Sequence, residues 1–166
     1  MKINDDHMYH GAALTQIAEH PRFTAINAFK LNGSPSRSGL RVNDDIGVYL
    51  KYATKPKGSY QEYPFTFTRE HLDELATMAR GISRVYLALV CVRARQVCCL
   101  SLDQLNELIA RRRTAKGGDE EQYVLLVTVQ EGKSFRAYIS PPGARKQILG
   151  EPLIIPRTGF PGRIFA

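Results

Sequence analysis

The sequence predicts a mixed α+β fold (α/β in the broad sense) in which helices flank a central mixed β-sheet. The run VYLALVCV at 85–92 is uniformly apolar, which is typical of a strand covered on both faces. Residues 69–80 repeat apolar side chains at helical spacing. Residues 123–139 contain two strand-forming segments joined by the turn sequence QEG, which indicates a β-hairpin.

The first half of the chain is predicted to begin with a helix and to continue as strands. In GAALTQIAEH (11–20), Leu14, Ile17 and Ala18 share one face, and Pro21 ends the helix. The following segments are a strand at 22–29, a loop rich in turn-forming residues at 31–39, strands at 40–43 and 46–53, a loop at 54–63 and a strand at 64–68.

Capping residues define the helices of the second half. Thr68 is expected to cap a helix over 69–80 that stops at Gly81, and Ser101 and Gln104 form a capping-box pair for a helix at 101–113. The remaining segments are strands at 85–92 and 96–100, a loop at 114–122, hairpin strands at 123–129 and 133–139, and a tail from Ser140. The helices at 11–20 and 69–80 are expected to cover the two faces of the strand at 85–92.

The 166 residues predict a single domain (1–166), with a core over about 11–139 and a C-terminal extension over 140–166 that contains several Pro and Gly residues. No apolar run approaches the ~20 residues that span a bilayer, so no membrane partner is expected. The N-terminus carries acids and has no apolar signal segment, which favours a cytoplasmic location. Cys91, Cys98 and Cys99 are expected to be buried, reduced thiols.

The formal net charge of +7 and the pI near 9.5 favour anionic partners, with DNA or RNA first. The strongest basic group is Arg111, Arg112, Arg113 and Lys116, which suits phosphate contacts. The alternative is that these cations complement the dipole at a helix C-terminus.

A second candidate group combines Lys55 and Lys57 with Lys51 and with the tyrosines at 49, 52 and 60. Cations interleaved with aromatic rings suit single strands or unstacked bases. The alternative is that the tyrosines pack across a half-exposed sheet.

A paired carboxylate precedes a lysine in the segment VNDDIGVYLK. Asp44 and Asp45 fall at the bend between two predicted strands, and Lys51 falls within the second one. In that strand Tyr49 and Lys51 should face opposite to Ile46, Val48 and Leu50, because strand side chains alternate. Asp44 and Asp45 are either one acidic part of a site or the residues of an Asx-type bend, and Lys51 is either a site residue or a solvated position on the sheet.

This order of helix, three strands, helix and buried strand over about 11–92 resembles the core of the restriction-endonuclease-like, or PD-(D/E)xK, superfamily. The chain also resembles a family of bacterial proteins that carry VN…D…YLKY…FTF, LALVC…CCLS and a C-terminal FP…IF. The superfamily resemblance implies a Mg²⁺ site with Asp44 or Asp45 as the first acid and Lys51 as the lysine that positions water. Tyr49 stands where the second acid is expected, and Glu19 is a substitute metal ligand beside Asp45.

Three functional hypotheses follow. The preferred one is a nucleic-acid-associated protein with a degenerate, non-catalytic nuclease-like fold. The second is an active Mg²⁺-dependent nuclease using Asp45, Lys51 and Glu19. The third is a protein–protein interaction subunit of a larger assembly, since the apolar tail GFPGRIF is expected to pack on the body or on a second copy as a homo-oligomer contact.

Overall fold

A computed structural model describes all 166 residues and contains four helices and two β-sheets. The helices are α1 (Asp5–Ala18), α2 (Arg69–Gly81), α3 (Leu102–Lys116) and α4 (Gly162–Phe165). The strands are β1 (Ile26–Leu31), β2 (Ser34–Val42), β3 (Ile46–Ala53), β4 (Glu62–Thr68), β5 (Arg84–Cys91), β6 (Gln96–Ser101), β7 (Gln122–Thr128), β8 (Phe135–Tyr138) and β9 (Leu153–Ile155). The predicted mixed α+β class is confirmed. None of the four helices combines the length and the apolar character that a membrane-spanning helix requires.

The first sheet has the strand order β1-β2-β3-β5-β6. Its β3 and β5 are parallel, and every other neighbouring pair is antiparallel. A parallel pair needs a crossover connection, which here contains β4 and α2. Six of the eight residues in β5 are buried in one of the two hydrophobic clusters on the sheet faces, and Tyr86 lies half-buried against one of them. The apolar run at 85–92 predicts this burial.

The two faces of this sheet belong to different hydrophobic clusters. Ile46, Val48 and Leu50 of β3 pack with residues of α1 on one face. Tyr49 and Ala53 pack on the opposite face with residues of α2 and α3. The predicted alternation in β3 is therefore confirmed, and α1 and α2 cover opposite faces as expected.

The second sheet is antiparallel and has the order β4-β7-β8-β9. The prediction of one central sheet is incomplete, because the strand at 64–68 leaves the first sheet and pairs with β7 along its whole length. Tyr63, Phe65 and Phe67 alternate inward into the larger cluster. Pro64 fits this position because β4 is an edge strand, where a missing N–H breaks no ladder.

The prediction of a loop at 31–39 is wrong. β1 and β2 continue through this region as a hairpin, with Leu31 opposite Ser34. Asn32 and Gly33 both have positive φ, at 50° and 82°, as a two-residue type I′ hairpin turn requires. The Asn-Gly dipeptide is the signal that identifies the turn, and the serines that follow it belong to the strand.

The largest differences between predicted and observed helix boundaries are at the start of α1 and at the end of α3. The first helix starts at Asp5 instead of residue 11, because Asn4 caps it with a hydrogen bond from the backbone N–H of His7. The helix predicted at 101–113 continues to Lys116 and ends at Gly117, whose left-handed φ of 83° suits a glycine. The predicted Ser101–Gln104 capping box is confirmed.

The C-terminal extension packs on the body of the same chain. Phe160, Ile164 and Phe165 are buried in the cluster that contains α1. The Phe165 ring stacks on His20 at 4.3 Å between centroids. Arg84 donates one hydrogen bond to the carbonyl of Ala166 and another to the carboxylate of Asp45, which joins the tail to the β2–β3 bend.

Two glycines let α2 approach the first sheet closely. A Cβ atom on Gly39 would lie 3.0 Å from Met78 Sδ, and one on Gly47 would lie 3.1 Å from Met78 Cε. Larger residues in β2 and β3 would therefore push α2 outward. This contact fixes the height of α2 above β3 and so the position of the polar side chains on its first turns.

Burial of the tail gives a direct stability prediction. Ile164 is fully buried in α4, whereas Ile154 on β9 is 59% exposed. We expect Ile164→Ala to lower the free energy of unfolding by about 2–4 kcal/mol, because it leaves a cavity. Ile154→Ala should change it by less than about 0.5 kcal/mol. Urea denaturation of both variants compares the same substitution, and equal midpoints would contradict the docked tail.

Candidate functional site

The structure does not bring the predicted nuclease residues together. Asp44 and Asp45 lie exposed in the bend before β3, and Asp45 forms an ion pair with Arg84 at 2.9 Å. Lys51 lies six strand residues further on, which corresponds to about 20 Å. Glu19 is the exposed C-cap residue of α1.

These acids do not fit a magnesium site. No group of three or more His, Cys, Asp or Glu side chains is arranged to hold a metal ion. Asp45 instead orients Arg84 toward the tail, and the carbonyl of Asp44 accepts a hydrogen bond from Arg41 at 3.0 Å. Asp44 and Asp45 lie in the turn between β2 and β3, but the side chain that accepts backbone N–H groups there is that of Asn43.

The three arginines of the predicted basic group each form an ion pair with a different acid. Arg111 pairs with Glu107 at 2.8 Å and donates to the carbonyl of Glu151. Arg113 pairs with Asp119 at 2.7 Å. Arg112 forms a two-pronged pair with Glu120, and its guanidinium hydrogen bond holds the pKa of the Glu120 carboxyl below its usual value. Lys116 is exposed near Glu120 and also lowers that pKa.

Two of the predicted basic residues line one groove with basic residues that the sequence analysis did not select. Lys57 and Arg112 lie in it together with Arg145 and Lys146. The groove has a volume of about 740 Å³, within the range of small-molecule sites. Its floor is the outer face of the second sheet, where Val124 and Leu126 are half-buried. We call it the basic groove. Lys55 is exposed and lies two residues before Lys57 in the sequence, but it does not line this groove.

A tight loop presents an aromatic ring at the basic groove. Lys57 and Glu62 exchange two backbone hydrogen bonds, at 2.8 and 3.1 Å, and so close the loop between them. Gly58 and Gln61 take positive φ values in this loop. Tyr60 is therefore held at the tip with 56% of its surface exposed.

Electrostatics in the basic groove favour an anion. Arg112 and Glu120 compensate each other, and the Arg112 guanidinium also donates to the carbonyl of Ser140 at 2.7 Å. Lys57, Arg145 and Lys146 have no ion pair. The groove also carries the carboxylate of Glu62, so its four cations and two carboxylates leave a net charge of +2 for a ligand.

A second polar cluster surrounds Lys51, which lies between the first sheet and α2. The Lys51 ammonium is 3.3 Å from Nδ1 of His71 and 5.0 Å from the centroid of the Phe67 ring. Nδ1 of His71 also accepts the backbone N–H of Thr68 at 3.2 Å, as part of the α2 cap. An imidazole that accepts from two donors at Nδ1 is neutral with its proton on Nε2. We call Lys51, His71, Tyr49 and Glu74 the Lys51 cluster.

Burial shifts the protonation equilibria of this cluster. Desolvation lowers the pKa of Lys51 from 10.5 to about 8, and the nearby Glu74 carboxylate offsets part of the shift. Desolvation and the charge of Lys51 together lower the pKa of His71. Such shifts in one cluster mark a candidate functional site.

The remaining pair of the cluster is a strong hydrogen bond. The Tyr49 hydroxyl donates to Oε2 of Glu74 at 2.7 Å. Burial raises the pKa of Tyr49, and the hydrogen bond to Glu74 adds to the effect, so the phenol keeps its proton. Tyr49 therefore holds the Glu74 carboxylate in place on α2 instead of acting as a metal ligand.

Sequence reasoning missed most of the partners in both sites. The sequence places His71 and Glu74 among the polar residues of a helix and gives no sign that they are partly buried. Their contact with β3 depends on how closely α2 approaches the sheet. Arg145 and Lys146 lie in the extension, far in sequence from Lys57. The only local signal was the capping-box position of His71, three residues after Thr68.

Comparison with protein-family models, curated proteins and solved structures finds no match to this chain.

The low pKa of Lys51 makes this residue costly for stability. A shift from 10.5 to about 8 corresponds to about 3 kcal/mol for a sealed site. Because part of the side chain reaches solvent, we expect Lys51→Met to raise the free energy of unfolding by about 1–2 kcal/mol at pH 7.

The pH dependence identifies the cause of this gain. The native protein holds Lys51 less protonated than the unfolded chain between pH 8 and 10.5, so the cost is full below pH 8 and vanishes as the pH rises to 10.5. Lys55→Met, at an exposed position, is the matched control and should show no such gain. Urea unfolding at pH 7 and pH 10.5 tests the difference, and a gain that is equal at both values would contradict it.

Proposed function

We propose that this protein binds single-stranded nucleic acid in the basic groove and does so without cleaving it. The observation that carries the proposal is the convergence of Lys57, Arg145 and Lys146, none of them in an ion pair, beside the exposed ring of Tyr60. These residues come from two loops on one face of the second sheet.

Cations and aromatic rings supply complementary parts of such binding. Lysine and arginine neutralise backbone phosphates and release counterions, which gives affinity without reading sequence. An exposed tyrosine offers its face to an unstacked base. The half-buried Val124 and Leu126 add apolar surface next to both.

The absence of an assembled metal cage favours binding over cleavage in this proposal. Asp45 is bound to Arg84 and is separated from Lys51 by most of β3. A nuclease of the expected type needs those groups around one ion. The overall charge of +7 adds long-range attraction for a polyanion.

Neutralising the free cations of the groove should weaken binding. We expect the triple variant Lys57→Gln, Arg145→Gln and Lys146→Gln to lose about 10- to 100-fold in affinity for a fluorescent oligothymidylate at 100 mM salt. The slope of log affinity against log salt should fall by about two, because about 0.7 counterions are released for each of the three phosphate contacts with a single strand.

A matched triple variant separates local contacts from net charge. Lys30→Gln, Arg69→Gln and Arg80→Gln remove the same charge from exposed positions outside the groove. This control should keep most of the affinity. Equal losses in both triple variants would assign the binding to overall charge and would contradict the groove.

Stacking gives a prediction that is independent of charge. Tyr60→Ala should reduce single-strand affinity by about tenfold, since one base–aromatic stack contributes about 1–3 kcal/mol. Tyr60→Phe keeps the ring and should bind as the unaltered protein does. Fluorescence anisotropy with single-stranded and duplex DNA of one sequence checks this, and an equal loss of duplex binding would argue against a stacked base.

A further inference from the structure

A cavity lies between the first half of α1 and the strands β2 and β3. Its volume is about 500 Å³, which is within the size range of small-molecule sites. It shares no residue with the basic groove. We call it the α1 cavity. Its lining includes three leucines and, among its polar side chains, one acid, one arginine and a buried histidine: Leu14, Leu40, Leu50, Asp6, Arg37 and His10.

His10 is the buried polar group of the α1 cavity. Only 8% of its surface is exposed, and its imidazole contacts the ring of Tyr52 but makes no hydrogen bond within the protein. No fully buried side-chain nitrogen or oxygen atom lacks a hydrogen-bond partner. The ring nitrogens of His10 therefore reach the space of the cavity that this residue lines, where they are free to bind a ligand.

The charge state of His10 follows from the groups around it. Burial lowers the pKa of His10, the carboxylate of Asp6 opposes this shift, and the ammonium of Lys51 adds to it. The imidazole is therefore neutral at pH 7, and it offers the cavity one N–H donor and one nitrogen acceptor.

An irregular part of β2 presents Arg37 at the cavity. Ala28 of β1 pairs with Leu40, whereas Lys30 pairs with Pro35, so β2 has three more residues than β1 between these two pairs. The Ser36 hydroxyl stabilises this bulge by accepting the backbone N–H groups of the residues at 38 and 39. A bulge re-aims the side chains that it carries. Arg37 lies within it and lines both the α1 cavity and the cleft beside α2.

Two opposite charges of the cavity lack a partner. None of the four ion pairs in the protein includes Asp6 or Arg37. They are the charged residues of the lining, so the cavity has no net charge when its histidines are neutral. A simple anion would be repelled by Asp6, and a simple cation would be repelled by Arg37. A ligand that carries both charges satisfies both residues.

We propose that the α1 cavity binds a free α-amino acid with an aliphatic side chain. Arg37 binds the carboxylate of this ligand, since a guanidinium can donate two parallel hydrogen bonds to it. Asp6 binds the ammonium group. The neutral imidazole of His10 complements the same zwitterion because it has both a donor and an acceptor.

The leucines of the cavity select the side chain of the ligand. Leu14 and Leu40 are half-buried and pack against the same hydrophobic cluster, to which Leu50 belongs. They present apolar surface beside the polar groups, as small-molecule sites commonly do. Amino-acid binding in this cavity is independent of nucleic-acid binding in the basic groove.

Leucine and two analogues test the proposal on the unaltered protein. The NMR signals of the His10 ring should shift during a leucine titration and saturate with a Kd at or below about 1 mM. The analogue 4-methylpentanoate lacks only the ammonium group, and 3-methylbutylamine lacks only the carboxylate. Each should bind about tenfold more weakly or less, because one charged partner stays unpaired. No saturable shift with leucine, or equal affinity for either analogue, would overturn the proposal.

Substitutions of the two charged residues assign each end of the ligand. Arg37→Gln should weaken the binding of leucine and of 4-methylpentanoate by about tenfold or more, whereas Asp6→Asn should weaken only leucine. Asp5→Asn is the matched control, since Asp5 is exposed in the same helix turn and does not line the cavity. It should bind leucine as the unaltered protein does. Equal losses of leucine affinity in the two aspartate variants would contradict the assigned contact and overturn the proposal.

Discussion

The parallel pairing of β3 with β5 is the constraint on which the other parts of the structure depend. Eight consecutive residue pairs run from Ile46–Arg84 to Ala53–Cys91. A parallel pair buries both faces, so each face requires its own cover. The chain supplies α1 and the C-terminal tail on one side, and α2, α3 and the second sheet on the other. The crossover that makes β5 parallel also carries α2 to its place above Lys51.

Each candidate site uses one consequence of this arrangement. Because α2 is held close to β3, a lysine in the middle of a strand lies beneath a helix turn and loses much of its hydration. Because the second sheet faces the core with only one surface, its other surface is free to carry the basic groove. The Lys51 cluster thus depends on burial, and the basic groove depends on exposure to solvent.

The sequence predicts those features that are encoded within a few residues of each other. The capped helices α2 and α3, the strand β5, the alternation in β3 and the bend at Asp44 and Asp45 are all local patterns, and the structure contains them. The partner of β4 could not be predicted, since alternating Phe65 and Phe67 specify a buried face without specifying a neighbouring strand. The same holds for the pairing of each arginine in 111–113, which depends on acids in the following loop and on residues of the extension.

The strands β1 and β4 each form one edge of a sheet, and this affects how the folded protein behaves at high concentration. An open sheet edge offers unpaired N–H and C=O groups to any passing strand. Pro64 lacks an N–H on the edge strand β4, and the irregular register between Ala28 and Lys30 interrupts β1. Both devices interrupt the template that a second molecule would need for continuous pairing. At these two edges the molecule therefore carries built-in protection against strand-to-strand aggregation at high concentration.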